Sequence, residues 1–579
     1  MRSLFQKLFL SVLMILLIPQ AVSAMAEIMP LNQVKSGMSG VGYTIIDNTG
    51  KIQPFNVEIV GVTANGKGSA SMIMARASGD LINKTGGVLQ GMSGSPIYVD
   101  GKLIGALAIG IKEMSPYTFF ITPIESMIKI WDLPDKRAED RIAQITEKEN
   151  SAEEKSLIFF SGFDSNSLNF LQNELSPLGF KDFFAAPSAG SNTIIKHNAS
   201  LVPGAAVGVA VVYGDFTVGA TGTVTAVDNE RILGFGHSFA HSGNVNYFMT
   251  DSAVLGPISG VNGNGMRVAS VGNIIGRINQ DREAGIAGII GKFPTVVPIT
   301  VRVKNNALNT DETYKASIAY NESLIPKLGA SIVYAALSRS ADCLENSTIK
   351  INFNIKTNVT ENGTISRQNM FYHDTDAGQV SIVEILQALN LICSNVTAES
   401  DIYEIEVDAE INGGRQSASL VSAVPDKKVV KPGDTVRLNV TIQPYRKPEE
   451  TITIPYTVPL NAREGNFTLN IHSGALVQST QNNSNGGIRP STEPPSKEYE
   501  KRIRSFLNMG RNDQIVIEPN ATLSPKSNKE RKAELKRVQK AQERLERLGR
   551  STNVSPIQRL DSNYIIDNVI QASINVGKI

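Results

Sequence analysis

The chain has 579 residues, too many for a single hydrophobic core, which predicts about three or four domains at roughly 100–200 residues each. Its 56 Lys and Arg residues nearly balance its 55 Asp and Glu residues, so the net charge of +1 argues against nucleic acid as a partner. Two cysteines and five histidines, without a CxxC or HExxH motif, leave little material for a zinc site. We therefore expect neither a metal nor a cofactor.

Residues 1–24 have the pattern of an export signal. A basic start precedes an apolar run over 8–18 and small residues up to Ala24, which predicts a signal peptide cleaved after Ala24. The apolar run is shorter than the roughly 20 residues that span a bilayer, so an uncleaved anchor is the less favoured alternative. We expect an exported protein, periplasmic or extracellular, with no transmembrane segment after cleavage. An oxidising compartment would allow a disulfide between Cys343 and Cys393.

Residues 25–134 predict the first half of a β-rich domain. Period-two alternation over 39–46 and 55–60, bounded by Gly and Asn, is typical of β-hairpins. Residues 97–108 contain two apolar runs joined by Asp-Gly, the strongest short hairpin signal. Between these strands lies a glycine-rich stretch, KTGGVLQGMSGSPI, at 84–97.

The following segments differ in composition and predict separate parts of the fold. Residues 135–186 are charged, as in a solvated linker or helix. The β pattern returns over 187–304, where small and β-branched residues predict a second group of barrel or sandwich strands. Residues 305–475 mix strands with a helical patch at 382–391. Strand alternation at 436–442 favours an immunoglobulin-like sandwich within this β-rich accessory region.

The C-terminal part begins with a segment over 476–498 that is rich in Asn, Ser, Gly and Pro and predicts a flexible linker. Residues 499–579 predict a charged helix over 528–550 and a terminal strand. The narrow apolar seam of this helix, of coiled-coil type, consists of Leu535, Val538, Leu545 and Leu548. Packing of the seam on the protein itself is the simpler interpretation, and a partner bound through the helix is the alternative.

Ser93 is the candidate nucleophile. A serine hydroxyl needs a base to take its proton, and the oxyanion formed on attack needs preplaced donors. Gly91 lets the backbone turn so that the amides of Gly91 and Ser93 face one point, as in an oxyanion hole. Gly94 would allow close approach of a substrate, and Pro96 fixes the exit into the next hairpin. A structural serine in a tight turn is the alternative.

His237 is the candidate base. It follows an apolar strand in GFGHSFAH, where the glycines clear space, and an imidazole with a pKa near 6.5 can cycle its proton at neutral pH. His241 lies four residues later, a spacing that suits a metal on a helix, but the glycines favour strand and loop. We interpret the other four histidines as structural: His197, His241, His373 and His472.

The third member of a catalytic triad would hold the imidazole in the correct tautomer. Asp is a common residue, so the sequence offers several candidates. Asp80, upstream of Ser93 in SGDL, is our choice. Asp228 and Asp251, which lie near His237 in the sequence, are its competitors.

Residues 84–97 resemble the nucleophile signature of the stage IV sporulation protein B (SpoIVB) family of bacterial serine endopeptidases. Segments at 101–106, 236–237 and 276–286 also resemble family blocks, so the resemblance covers roughly residues 30–305. It implies a mainly β protein with a chymotrypsin-like double β-barrel. By this resemblance Ser93 is the nucleophile and His237 the base.

The chain departs from the family pattern in two respects. In the sporulation protein the histidine block precedes the serine block, whereas here Ser93 precedes His237, so the chain resembles a rearranged branch. The family's aspartate falls on Ser78 of this chain, and a loop shortened by two residues would restore Asp80. Because Ser93 and His237 are far apart in the sequence, we expect the two β regions to fold as one unit.

These observations predict an exported SpoIVB-type serine endopeptidase that forms an acyl-enzyme on a protein or peptide substrate. By analogy with the family, its role would lie in signalling or envelope processing in a bacterium. The main alternative is a catalytically inactive binding or scaffold protein of the envelope that retains the peptidase fold. Hydrolysis of small esters, which needs the same groups, is a third interpretation.

Overall fold

The computed structural model describes residues 25–63, 71–111, 115–135, 157–178, 180–185, 201–259, 265–341, 343–476, 494–520 and 527–578. The predicted signal peptide lies outside the described residues, as do residues 136–156 of the charged segment and 477–493 of the linker. The chain divides into two compact units. One comprises Met1–Pro298 and Lys315–Ser331, and the other comprises Ile299–Tyr314 and Ile332–Ile579.

The first unit begins with a closed barrel whose strand order is β1-β2-β3-β6-β5-β4. Its strands, β1 to β6, are Ser39–Thr44, Gln53–Val62, Ile73–Ser78, Pro96–Val99, Lys102–Ile111 and Ser115–Pro123. Two short helices accompany them, α1 (Asp80–Thr85) and α2 (Ile124–Ile128). Alternate residues of β2, including Phe55, Val57 and Ile59, point into the barrel and are buried. The period-two pattern of the sequence therefore becomes the wall of a core.

A second barrel follows in the same unit. Strands β7 to β14 are Leu157–Ser161, Lys181–Ala185, Ala206–Gly214, Thr217–Asp228, Arg231–Gly234, Gly243–Ile258, Met266–Arg282 and Gly285–Ile290. Six of them, in the order β9-β12-β13-β14-β11-β10, close through pairing of β9 with β10. Strands β7 and β8, joined by α3 (Ser165–Leu175), extend the sheet beyond β10.

The two barrels have the same topology. If the strands of each barrel are numbered one to six along the chain, both follow the closed order 1-2-3-6-5-4. Buried residues of α2, β5, β10 and β14 form one hydrophobic cluster, which includes Leu103, Ile124, Met127, Ala226 and Ala287. The barrels are thus packed on each other within one unit, and the predicted mainly β double barrel is confirmed.

The second unit contains a mixed sheet with the order β18-β17-β19-β15. Strands β15 to β19 are Val296–Asn305, Thr310–Ala319, Ser347–Thr357, Thr364–His373 and Ile402–Gly413. Helices α4 to α6 are Ile325–Arg339, Ala377–Ser381 and Val383–Cys393. Residues 316–318 of β16 instead pair with β9 in the first unit's barrel sheet.

The rest of the second unit is a two-sheet sandwich with the orders β23-β22-β20-β27 and β21-β28-β24-β25-β26. Strands β20 to β28 are Ser417–Pro425, Val429–Val430, Thr435–Pro444, Glu450–Thr457, Gly465–Ser473, Gln514–Pro519, Gln558–Asp561, Ile565–Ile566 and Val569–Val576. Both sheets contribute to one buried core. Strands from beyond residue 499 complete both sheets, so the C-terminal region is part of the sandwich. Its immunoglobulin-like character stays a prediction.

Helices α7 (Pro495–Leu507) and α8 (Asn528–Arg547) complete the second unit. The seam predicted on α8 is only partly used. Leu545 is buried and lies against Gly433, whereas Leu535 and Leu548 are 64% and 53% exposed. No helix among the described residues is long and apolar enough to cross a bilayer.

The structure forms no disulfide between Cys343 and Cys393, and their pairing stays a prediction. Cys343 is exposed in the loop after α4, where its sulfur accepts a hydrogen bond from the amide of Glu345. Cys393 is half-buried at the end of α6. Two cysteines in an oxidising compartment can form a disulfide only where their α-carbons lie close together.

Candidate active site

The two candidate catalytic residues lie in topologically equivalent loops. Ser93 lies in residues 86–95, the nucleophile loop, between the third and fourth strands of the first barrel. His237 lies in residues 235–242, the histidine loop, between the third and fourth strands of the second barrel. Because the barrels share one strand order, each supplies one loop from the same place in its topology.

Strand β5 fixes the shape of the nucleophile loop. Gly91 and Gly94 have φ values of +91° and +94°, a region that favours glycine. The Gly94 amide donates to the carbonyl of Leu107 at 2.7 Å, and the Leu107 amide donates to the carbonyl of Ser95 at 2.9 Å. Hydrogen bonds in both directions therefore attach the loop to a barrel strand.

The groups proposed to act on a substrate lie at the centre of this loop. The Ser93 hydroxyl is half-buried and donates a long 3.4 Å hydrogen bond to the carbonyl of Ala108. The amides of Gly91 and Ser93 donate to no other group within the described residues. Their carbonyls, by contrast, accept from Thr223: its hydroxyl reaches Gly91 at 3.3 Å, and its amide reaches Ser93 at 2.8 Å. The two amides therefore stay available to an oxyanion.

Thr223 of β10 also connects the nucleophile loop to the histidine loop. Its amide binds Ser93, while its carbonyl accepts the amide of Phe235 at 3.2 Å. A β-carbon added to Gly94 would lie 2.0 Å from the Thr223 carbonyl oxygen and 2.5 Å from the Phe235 nitrogen. The sequence analysis attributed Gly94 to close approach of a substrate. In the structure its lack of a side chain also lets the backbone of Thr223 and Phe235, in the second barrel, lie close to the nucleophile loop.

The histidine loop turns sharply and contacts the same strand, β5. Phe235 and Gly236 are consecutive left-handed residues, with φ values of +67° and +69°. The Gly236 carbonyl accepts the hydroxyl of Thr122 at 2.5 Å. A β-carbon on Gly236 would lie 3.0 Å from the Leu107 carbonyl oxygen and 3.1 Å from the Ala106 β-carbon. Strand β5 at 106–108 therefore lies against both loops.

The half-buried His237 ring is held in one tautomer. Its Nδ1 lies 2.7 Å from the carbonyl oxygen of Ser238. Because a carbonyl can only accept, Nδ1 must carry the proton, and the neutral ring then has its lone pair on Nε2. A base that takes a proton from a serine hydroxyl through Nε2 requires this tautomer.

Asp281 stabilises the histidine loop and was missed by the sequence analysis. Its fully buried carboxylate accepts the amides of Phe239, Ala240 and Ser242 at 2.7, 2.8 and 3.0 Å. Burial raises the pKa of Asp281, although the three amides and nearby His241 oppose that change. Its signal was an acidic residue near the end of the long strand β13, four residues before Gly285.

The three aspartates considered for the triad occupy three different surroundings. Asp80 is exposed in the first turn of α1 and makes no hydrogen bond to either loop. Asp228 forms a 2.5 Å ion pair with Arg231 across the turn between β10 and β11. Asp251 is buried in β12, where it accepts the amide of Asn273 at 2.6 Å.

The other histidines occupy different surroundings. His241 is exposed at the end of the histidine loop and has a φ value of +52°. His373 and His472 belong to the second unit, and His197 lies outside the described residues. No three His, Cys, Asp or Glu side chains of the described ranges form a group that could hold a metal ion.

The fold and these loops define a β-barrel protein of the chymotrypsin-like class. Residues 16–128 match the model of a family described as SpoIVB peptidase S55. The match includes the whole first barrel and Ser93, and it ends before His237. No curated protein and no solved structure matches the chain. The N-terminal part of the chain is therefore similar to the SpoIVB peptidases.

Proposed function

We propose that the protein is an exported serine endopeptidase that cleaves protein or peptide substrates. The observation that carries this proposal is the double contact of Thr223. Its hydrogen bonds to Ser93 and Phe235 join the nucleophile and histidine loops across the two barrels. The family of the first barrel supports the same chemistry.

In the proposed reaction, Ser93 Oγ attacks the scissile carbonyl carbon while His237 Nε2 takes the hydroxyl proton. The electron pair displaced from the carbonyl moves to its oxygen, which the amides of Gly91 and Ser93 stabilise. The imidazolium then gives its proton to the leaving amine, and an acyl-enzyme on Ser93 forms. Water, deprotonated by His237, releases the acyl group and restores the serine.

We assign the orientation of His237 to the Ser238 carbonyl rather than to Asp80. The carbonyl lies at hydrogen-bond distance from Nδ1, whereas the Asp80 carboxylate is exposed in α1. Asp281 acts indirectly by holding the backbone that follows His237. This arrangement is a Ser-His pair positioned by backbone groups and one buried carboxylate.

Limited proteolysis of an unstructured protein tests the proposal. The mature full chain is incubated with casein, and the fragments are identified by mass spectrometry. Ser93→Ala and His237→Ala should abolish cleavage, whereas His241→Ala, the matched histidine of the same loop, should retain it. Equal cleavage, or equal lack of cleavage, by folded wild-type and Ser93→Ala proteins would refute the proposal.

The same loops also fit the two alternatives drawn from the sequence. An inactive scaffold protein would retain the fold but neither cleave nor react at Ser93, and an esterase would turn over small esters while leaving casein intact. Export, a role in signalling or envelope processing, and a partner bound through the helix at 528–550 are further parts of the proposal. The family supports export, and the exposed Leu535 leaves a face of that helix accessible.

A further inference from the structure

Arg267 is a buried cation in the second barrel that the proposed reaction does not yet use. It is fully buried and lies at the start of β13. Its backbone amide donates to the carbonyl of Gln90 at 2.8 Å, and the Gln90 amide donates to the carbonyl of Gly265 at 2.9 Å. The backbone around Arg267 is therefore paired with the nucleophile loop.

The guanidinium group of Arg267 contacts only neutral acceptors. Nη1 donates to the Ile45 carbonyl at 3.0 Å and to the Thr223 hydroxyl at 3.1 Å, with Thr44 more distant at 3.4 Å. Nη2 donates to the Gly222 carbonyl at 2.7 Å. No carboxylate of the described residues pairs with it, and its Nε has no acceptor. Burial lowers its pKa to about 9, so the charge persists at neutral pH.

This charge lies beside Gly91, whose amide is one of the two donors of the proposed oxyanion hole. A β-carbon added to Gly91 would be 3.4 Å from Arg267 Nε and 3.4 Å from its β-carbon. The Thr223 hydroxyl, which accepts from Arg267, donates in turn to the Gly91 carbonyl at 3.3 Å. Burying an unpaired guanidinium is costly. The location of Arg267 beside Gly91 indicates that this cost is offset when negative charge forms in the oxyanion hole.

We propose that Arg267 is a positioning residue for the oxyanion hole, and that its unpaired charge stabilises the negative charge formed there. It would fix the nucleophile loop through Gln90, Gly91 and Thr223. When Ser93 attacks, the electron pair moves to the substrate oxygen and the proton moves to His237, while Arg267 changes no bond. In a site shielded from water, a fixed positive charge favours the anionic transition state over the neutral substrate. This electrostatic part rests on the proposed peptidase function.

Kinetics separate this role from substrate binding. For Arg267→Met we expect kcat on a peptide substrate to fall about 10- to 100-fold while KM changes less than about twofold. Arg267→Lys retains the charge and should recover part of kcat. The matched control is Arg76→Met, an exposed arginine on β3, which should behave as wild type. A higher KM with unchanged kcat would contradict the proposal.

Hydrogen exchange tests the positioning role even if the protein is not a peptidase. In Arg267→Met, amides of residues 90–95 should exchange faster, while amides of β2 and β3 stay as protected as in wild type. If wild type and Ser93→Ala do not differ in hydrolase activity, the proposed function fails. The exchange result still decides whether Arg267 fixes the nucleophile loop. Unchanged exchange in a folded variant would overturn that role.

A second variant covers the case in which Arg267→Met does not fold. Thr223→Val keeps the shape of the side chain but removes the hydroxyl that links Arg267 to Gly91. We expect faster exchange at 90–95 and a lower kcat, with KM nearly unchanged. Wild-type exchange and kcat in Thr223→Val would overturn the proposed connection.

Discussion

The amide of Thr223, in the second barrel, donates a 2.8 Å hydrogen bond to the carbonyl of Ser93, in the first. The nucleophile loop is therefore held by a strand that follows it by more than a hundred residues in the sequence. Both barrels lie in one compact unit, as the distance between Ser93 and His237 in the sequence led us to expect. Changes at this contact should affect the stability of the unit as well as its activity.

Gly94→Ala should destabilise the first unit more than Gly101→Ala. Both residues have positive φ values, +94° and +75°, so both changes incur about 1–2 kcal/mol of backbone strain. Only at Gly94 does the new methyl group collide with Thr223, which adds about 1–3 kcal/mol. Thermal unfolding of the full chain measures the difference. If Gly94→Ala and Gly101→Ala lower the unfolding midpoint equally, Thr223 does not contact the α-carbon of residue 94, and the prediction is contradicted.

Asp281→Asn should weaken the histidine loop. An amide side chain has one acceptor oxygen, and its NH₂ group faces a backbone amide that needs an acceptor, so we expect a loss of about 2–4 kcal/mol. Cleavage should slow mainly through kcat, because His237 would be less well placed. Urea unfolding and steady-state kinetics provide the measurements. The control is Asp100→Asn, an exposed aspartate in a hairpin turn, which should change neither quantity.

His472 should make the stability of the second unit depend on pH. Burial lowers the pKa of this ring, but hydrogen bonds to Glu518 and to the Ser473 carbonyl outweigh burial and raise it. Both ring nitrogens face acceptors, so the fold favours the doubly protonated form. With a folded pKa above the unfolded value near 6.5, the stabilisation is complete below that pH and is lost as pH rises through the folded pKa.

Comparison of wild type with His472→Gln at several pH values tests this coupling. We expect the variant to be less stable by about 2 kcal/mol at pH 5.5, with a smaller difference at pH 9. Glu518→Gln should reduce the pH dependence, because it removes the negative charge that favours the imidazolium. A stability difference that grows as the pH rises would contradict the assigned charge state.

The local elements could be predicted because their causes are local. The alternation of apolar and polar residues predicted a strand that contains Phe55 and Val57, and both are buried on one face of β2. Asp100 and Gly101 form the predicted turn between β4 and β5. Glycines around Ser93 marked a special loop, and their positive φ values explain the need for them. Each of these features depends on neighbouring residues, which a single sequence displays directly.

The tertiary contacts of the site could not be predicted in this way. The partners of Asp281 and Arg267 are mostly backbone groups of distant segments, and any residue type can supply a backbone amide or carbonyl. Asp80 was chosen for its proximity to Ser93 in the sequence, yet it is exposed on α1. The disulfide prediction has a similar basis, since two cysteines in one compartment carry no information about their separation.

Covalent labelling of the mature full chain with a fluorophosphonate, followed by mapping of the adduct by mass spectrometry, tests the central claim most directly. We predict one adduct on Ser93, none on its buried neighbour Ser95, and none in Ser93→Ala. Labelling should slow about 100- to 10,000-fold in His237→Ala, which keeps the nucleophile but lacks the base. A folded wild-type chain that stays unlabelled, or labelling of Ser93 at a rate independent of His237, would contradict the account.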